Sequence, residues 1–154
     1  MNISEILSPD RVVFDLEVTS RKRVLESLGE IIASADPTLS AKAVFQELYG
    51  REDRLGSTGL GHGVALPHAR LPDFDRTIAA FVRVAHGVDF AAPDAVPVDL
   101  FFALVVPSES TDLHLQILAT VAGAMNEIAV RERLRASDSP EEVIALLTSG
   151  GAQL

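Results

Sequence analysis

The sequence predicts an α/β fold: a mixed β-sheet flanked by helices, in a single domain. Residues 98–106 (VDLFFALVV) are almost wholly apolar, the pattern of a central strand covered on both faces. Other stretches gather their apolar residues on one helical face, and they alternate with the strand-like runs along the chain. With 154 residues, 47% hydrophobic and 23% charged, the chain is long enough for one domain with a real core.

Taken in order, residues 11–16 (RVVFDL) suit a first strand. Ser20 caps a helix in which Val24, Leu25, Leu28, Ile31 and Ile32 share a face, and Pro37 breaks the pattern. Ser40 opens a second helix carrying Val44, Phe45 and Leu48 and running to about residue 53. Residues 56–63 hold four glycines (Gly56, Gly59, Gly61 and Gly63) and a Ser–Thr pair, and read as an open loop. Val64, Ala65 and Leu66 form a short strand. His68 is expected just past its end, on backbone stiffened by Pro67. Residues 77–85 are another strand, with His86 and Gly87 in the turn that follows. Residues 107–111 make a connection rich in capping residues. Thr111 caps the next helix, which aligns His114, Ile117, Leu118, Val121, Ala122 and Met125. A basic segment, 131–135, precedes a last helix start with Ser139 as N-cap, Pro140 at N1 and Glu142 closing a capping box.

Composition narrows the function. Without cysteine there is neither a disulfide framework nor a thiolate metal site. No apolar run approaches a membrane span, and the N-terminus lacks a basic-plus-apolar signal, so a cytoplasmic protein with no membrane partner is expected. Thirteen Lys and Arg against 22 Asp and Glu give a net charge of −9. Such a surface repels nucleic acid and favours a partner with a basic face, or serves solubility alone.

Four histidines are the candidates for chemistry: His62, His68, His86 and His114. His86 fits as a turn residue, and His62 as an exposed loop residue. His114 starts the buried stripe of its helix; packing and a bond to a nearby carbonyl explain it unless His68 lies beside it. His62, His68 and His114 match no familiar zinc spacing. No G-x-S-x-G elbow occurs. Gly59-Leu-Gly61 precedes a strand, whereas a dinucleotide fingerprint follows one, and no Walker pattern is present. No metal and no cofactor are expected. What remains is imidazole as nucleophile: neutral at physiological pH, it can attack phosphorus and later release the group. Phosphoryl transfer asks mainly for positioning and charge stabilisation, for which Arg51, Arg54, Arg70 and the hydroxyls of Ser57 and Thr58 are candidates.

RE at 51–52, GSTG at 56–59 and GVALPHAR at 63–70 strongly resemble the enzyme IIA domains of the fructose/mannitol class (type 2) of the bacterial phosphotransferase system. Within that class they are most similar to the stand-alone nitrogen-related branch. The resemblance continues through GVDF at 87–90, PVDLFFALVVP at 97–107, LHLQIL at 113–118 and SPEE at 139–142. Residues 1–150 are then the enzyme IIA domain and 151–154 a short tail. The resemblance implies a transient phosphohistidine at His68, with His114 as second active-site histidine and Arg51 as the cation near the phosphoryl group. It implies the histidine phosphocarrier protein as donor, with phosphoenolpyruvate as the origin of the group. His62 falls at a variable family position and receives no role. A stand-alone protein, with no enzyme IIB or membrane-embedded IIC domain fused to it, is expected. The expected function is therefore nitrogen or metabolic regulation through target proteins, the alternative being relay to a sugar-specific enzyme IIB. Some of Leu60, Val64, Leu66 and Leu71 are expected to supply an apolar docking rim around His68.

Overall fold

The apolar run does form the strand on which the sheet is built. The computed structural model describes residues 2–110 and 112–149. In chain order its elements are α1 (Ile3–Ile6), a 3₁₀ turn (Pro9–Arg11), β1 (Val12–Leu16), α2 (Arg21–Ala33), α3 (Ala41–Leu55), β2 (Gly59–Gly61), β3 (Val64–Ala65), β4 (His68–Leu71), β5 (Ile78–Val88), β6 (Val98–Pro107), α4 (Asp112–Met125), α5 (Ile128–Ala136) and α6 (Pro140–Ser149). The sheet runs β1-β5-β6-β3-β2, with β4 also paired to β6. β5 and β6 are antiparallel, β1 is parallel to β5, and β3 and β4 are parallel to β6. The sheet is mixed, as the sequence predicts.

Alternation along β6 divides the core into two layers. Leu100, Phe102, Leu104 and Val106 pack with Ile117, Val121 and Met125 of α4, Leu134 of α5 and Leu147 of α6. Phe101, Ala103 and Val105 pack with Leu25 and Leu28 of α2 and Val44 and Leu48 of α3. Helices therefore cover both faces, which is why β6 has no polar face to show. Each fully buried side chain of this size contributes about 1.5–3 kcal/mol.

Ser20 and Ser40 cap α2 and α3 as expected, accepting from Arg23 N at 3.2 Å and Ala43 N at 2.9 Å. α3 runs on to Leu55, beyond the expected end near residue 53, because Gly56 at φ 92 provides its C-cap. Ser139 accepts from Glu142 N at 3.2 Å, but the capping box does not close. The Glu142 carboxylate is taken by Arg133 at 2.7 Å, and Ser139 N bonds Ser137 Oγ instead. The expected Thr111 cap lies outside the described residues. The basic segment 131–135 is part of a helix, α5, because Val130 and Leu134 one turn apart bury against the core. Arg131 turns inward there to bond the Met125 and Asn126 carbonyls at the end of α4. His86 lies within β5 rather than in a turn, since β5 continues to Val88 past an irregularity in its pairing with β6.

The glycine stretch is only partly a loop. β2 and β3 pair as an antiparallel hairpin turning at His62, φ 58, and Gly63, φ 80. A Cβ at Gly63 would lie 2.5 Å from Arg135 Nη2 and 2.8 Å from Asp99 Oδ1, so close packing as well as φ demands glycine there. Among the described residues no single helix is long and apolar enough to cross a membrane.

Candidate functional site

β3 and β4 lie one after the other along the same edge of β6, interrupted at Leu66 and Pro67. Gly63 O accepts from Leu100 N at 3.0 Å and Pro67 O from Leu104 N at 2.9 Å, so β6 binds both sides of the break. Proline has no amide to offer a ladder, which suits it to this gap. His68 therefore does not trail a strand end; it opens the next strand, opposite Leu104. That register aims it at the layer containing α4.

His114, in the first turn of α4, meets it there. The two imidazoles pack edge to face with centroids 5.0 Å apart. Arg51, near the end of α3, reaches His68 from the other layer. Its Nε donates to His68 Nε2 at 3.3 Å, while its Nη1 donates to Gly56 O at 2.7 Å. His68 Nδ1 lies 2.8 Å from Leu66 O. A carbonyl can only accept and a guanidinium can only donate, so both contacts select one neutral tautomer, with the proton on Nδ1. Burial pushes the His68 pKa down; the Leu66 bond opposes this, and Arg51 and Arg70 add to it. The same causes, burial first and then His68, Arg70 and Arg51, push His114 down to about 4. His114 is 5% exposed, and its Nδ1 is buried with no hydrogen-bond partner among the described residues. Both rings are neutral at physiological pH.

Around them opens a cleft of about 290 Å³, lined by Glu47, Arg51, Arg54, Leu55, His68, Ala69, Arg70 and His114. The three sequence candidates Arg51, Arg54 and Arg70 thus converge. The hydroxyls do not: Ser57 donates to Phe90 O, and Thr58 is bonded to Glu52. The apolar rim also differs from expectation. Val64, Leu66 and Leu71 are buried, and of the four only Leu60 is exposed. Leu55 in the cleft wall and Leu115 beside His114 are the exposed apolar groups here. The net acidic charge is locally reversed by three arginines against one glutamate. His62 is exposed at its hairpin turn and does not line the cleft, nor does His86. Among the described residues no group of three or more His, Asp or Glu is placed to hold a metal ion.

Sequence reasoning missed Glu47, Leu55 and Glu52. Glu47, Arg51 and Leu55 follow at i, i+4 and i+8, a single helical face that becomes legible once α3 extends to Leu55. Glu52 continues the buried stripe of Val44 and Leu48 at the same spacing, a carboxylate where an apolar residue is expected.

The cleft sets a neutral imidazole against three arginines, an arrangement suited to an anionic group. Residues 5–150 match the family "Phosphoenolpyruvate-dependent sugar phosphotransferase system, EIIA 2", and the chain belongs to it. Among individual proteins, it is similar to the nitrogen regulatory protein of Pseudomonas aeruginosa, 37% identical over 96% of this chain and 95% of that one. The crystal structure of nitrogen regulatory protein IIA-Ntr from Neisseria meningitidis superposes with a TM-score of 0.89, at 44% identity, covering 95% of this chain and 99% of that one. The fold is also that of enzyme IIA mannitol from Escherichia coli, solved in complex with phosphorylated enzyme IIB (TM-score 0.75, 20% identity, 92% and 98% covered).

Proposed function

We propose that the protein is a phosphohistidine-carrying enzyme IIA that accepts its phosphoryl group from the histidine phosphocarrier protein at His68 and acts mainly as a nitrogen or metabolic regulator. The observation that carries this reading is the tautomer of His68. With the proton held on Nδ1 by Leu66 O, the lone pair is left on Nε2, toward Arg51. That lone pair forms the new N–P bond while the donor's N–P bond breaks and its electron pair returns to the donor imidazole. The Nδ1 proton stays on the His68 ring throughout. Arg51 moves its donors from Nε2 to the phosphoryl oxygens, and His114, which lines the facing wall of the cleft, donates to them.

Regulation is supported by the similarity to nitrogen regulatory proteins. A phosphoryl group brings roughly −1.5 to −2 charges at pH 7 into a cleft beside exposed Leu55 and Leu115. A target that docks there without a basic residue of its own prefers the unphosphorylated form. Relay to an enzyme IIB is the second reading, drawn from the assembly of the mannitol relative, whose likeness extends to the fold.

The test is phosphorylation with phosphoenolpyruvate, enzyme I and the phosphocarrier. Wild-type protein acquires an acid-labile, alkali-stable label, and His68→Ala stays folded and acquires none. Label persisting on another residue of His68→Ala overturns the assignment.

A further inference from the structure

We propose that Glu52 is a positioning residue for His68, acting through Thr58 and Leu66 by a chain of buried hydrogen bonds that ends on the imidazole. This rests on the reading of His68 as the nucleophile. The Thr58 amide donates to Glu52 Oε2 at 3.0 Å and its hydroxyl to Oε1. Thr58 O accepts from Leu66 N at 3.1 Å, and Leu66 O accepts from His68 Nδ1 at 2.8 Å. Every donor points the same way, from the imidazole toward the carboxylate. Glu52, Thr58 and Leu66 are 2%, 7% and 4% exposed, so no link has water as a substitute partner.

A carboxylate is a costly choice for this position. An apolar residue would continue the Val44–Leu48 stripe without the desolvation penalty that burial imposes on a charge. Burial does push the Glu52 pKa up, and the Thr58 bonds, then Arg51 and Arg21, hold it down against that. The Thr58 amide can only donate, so it calls for an acceptor here, and Glu52 Oε2 supplies it. Without it the buried amide is orphaned, and Thr58 must turn to find another partner. Thr58 O then leaves Leu66 N, and the Leu66 carbonyl that fixes the His68 tautomer loses its anchor. Arg51, the preceding residue on α3, holds the opposite nitrogen. Two adjacent residues of one helix thus secure both sides of the ring, one directly and one through the hairpin.

The experiment is long-range ¹H–¹⁵N correlation of the imidazoles at pH 7.5, paired with steady-state transfer from the phosphocarrier. In wild-type protein His68 carries its proton on Nδ1. Glu52→Met, similar in volume, is expected to shift the tautomer ratio toward Nε2–H about fivefold, the equivalent of one lost hydrogen bond. Its kcat is expected to fall roughly tenfold with KM for the phosphocarrier held, as misorientation of a reacting group does. Glu52→Gln restores both, because its amide oxygen accepts from Thr58 N and its amide nitrogen donates to the hydroxyl. Leu48→Ala, on the same stripe, lowers stability and leaves the tautomer alone. A folded Glu52→Met with the wild-type tautomer, or an equal shift in Leu48→Ala, overturns the proposal. Should Glu52→Met not fold, Thr58→Val must show a smaller shift in the same direction, and an unchanged tautomer there also overturns it. The tautomer is read without phosphate, so labelling of His68→Ala would defeat the nucleophile assignment separately.

Discussion

Two sets of arginines at the two ends of the β3–β4 edge behave in opposite ways. At the hairpin end Arg135 grips Asp99 with Nε and Nη2, both at 2.9 Å, and reaches His62 O at 2.6 Å. Three of its five N–H donors are taken, and it fastens α5 to the hairpin turn and the start of β6. At the His68 end Arg51, Arg54 and Arg70 share a cleft and form no ion pair with any carboxylate among the described residues. Arg51 is held by the Gly56 carbonyl and His68 Nε2, and Arg70 by the Ser108 carbonyl, all of them neutral partners. A neutral carbonyl orients a guanidinium without cancelling its charge, so the positive field stays available to an incoming anion. At the hairpin end a carboxylate neutralises the guanidinium, and in the cleft none does.

The sharpest way to break that comparison is Arg51→Ala. Loss of its donors at the developing phosphoryl charge should slow transfer to His68 about 100-fold. Thermal stability should hardly change. Unchanged transfer in both Arg51→Ala and His114→Ala would show that the cleft cations and His114 are bystanders.

Next in size is the acid sensitivity of the cleft. The folded protein keeps His114 neutral down to about pH 4, whereas the unfolded chain takes up a proton near 6.5. Between those values the unfolded state binds more protons, so stability falls as the pH drops through the window and levels off below it. The loss from His114 is up to about 3 kcal/mol. His68, also lowered, adds in the same direction, while Glu52, raised by burial, acts oppositely. Urea unfolding from pH 7 to 4 should therefore be steeper for wild type than for His114→Gln. Equal slopes would mean that His114 titrates normally.

The smallest effect belongs to the ion-paired end. Arg135→Ala should cost about 1 kcal/mol, since exposed pairs contribute little even with good geometry. That corresponds to a fall of about 2–4 °C in Tm. Transfer to His68 should stay at the wild-type rate. A large kinetic defect would show that the hairpin end is coupled to the cleft and blur the distinction.

By itself the sequence determined the layered architecture and its caps. Residues 98–106 are apolar at almost every position because both sheet faces are covered, and Ser20 and Ser40 cap through bonds that span only three residues. The motif around Pro67 marked His68 as the proposed nucleophile for the same reason: the Leu66–Pro67–His68 geometry is local. Tertiary structure decided everything that depends on which distant groups meet. Sequence names His114 and Arg51 only by resemblance, since 46 and 17 residues separate them from His68 and no spacing rule connects them; the strand register and the helix layers bring them to the ring. The hairpin nature of 59–65 was hidden because glycines signal freedom, whereas here β3 and Arg135 order them. α5 read as a charge cluster because its apolar contacts are made with other elements. Glu52 shows the limit best. In the sequence it figures only as the neighbour of Arg51, with no role, and only the fold turns it inward, to the Thr58 amide buried beneath α3 that needs an acceptor.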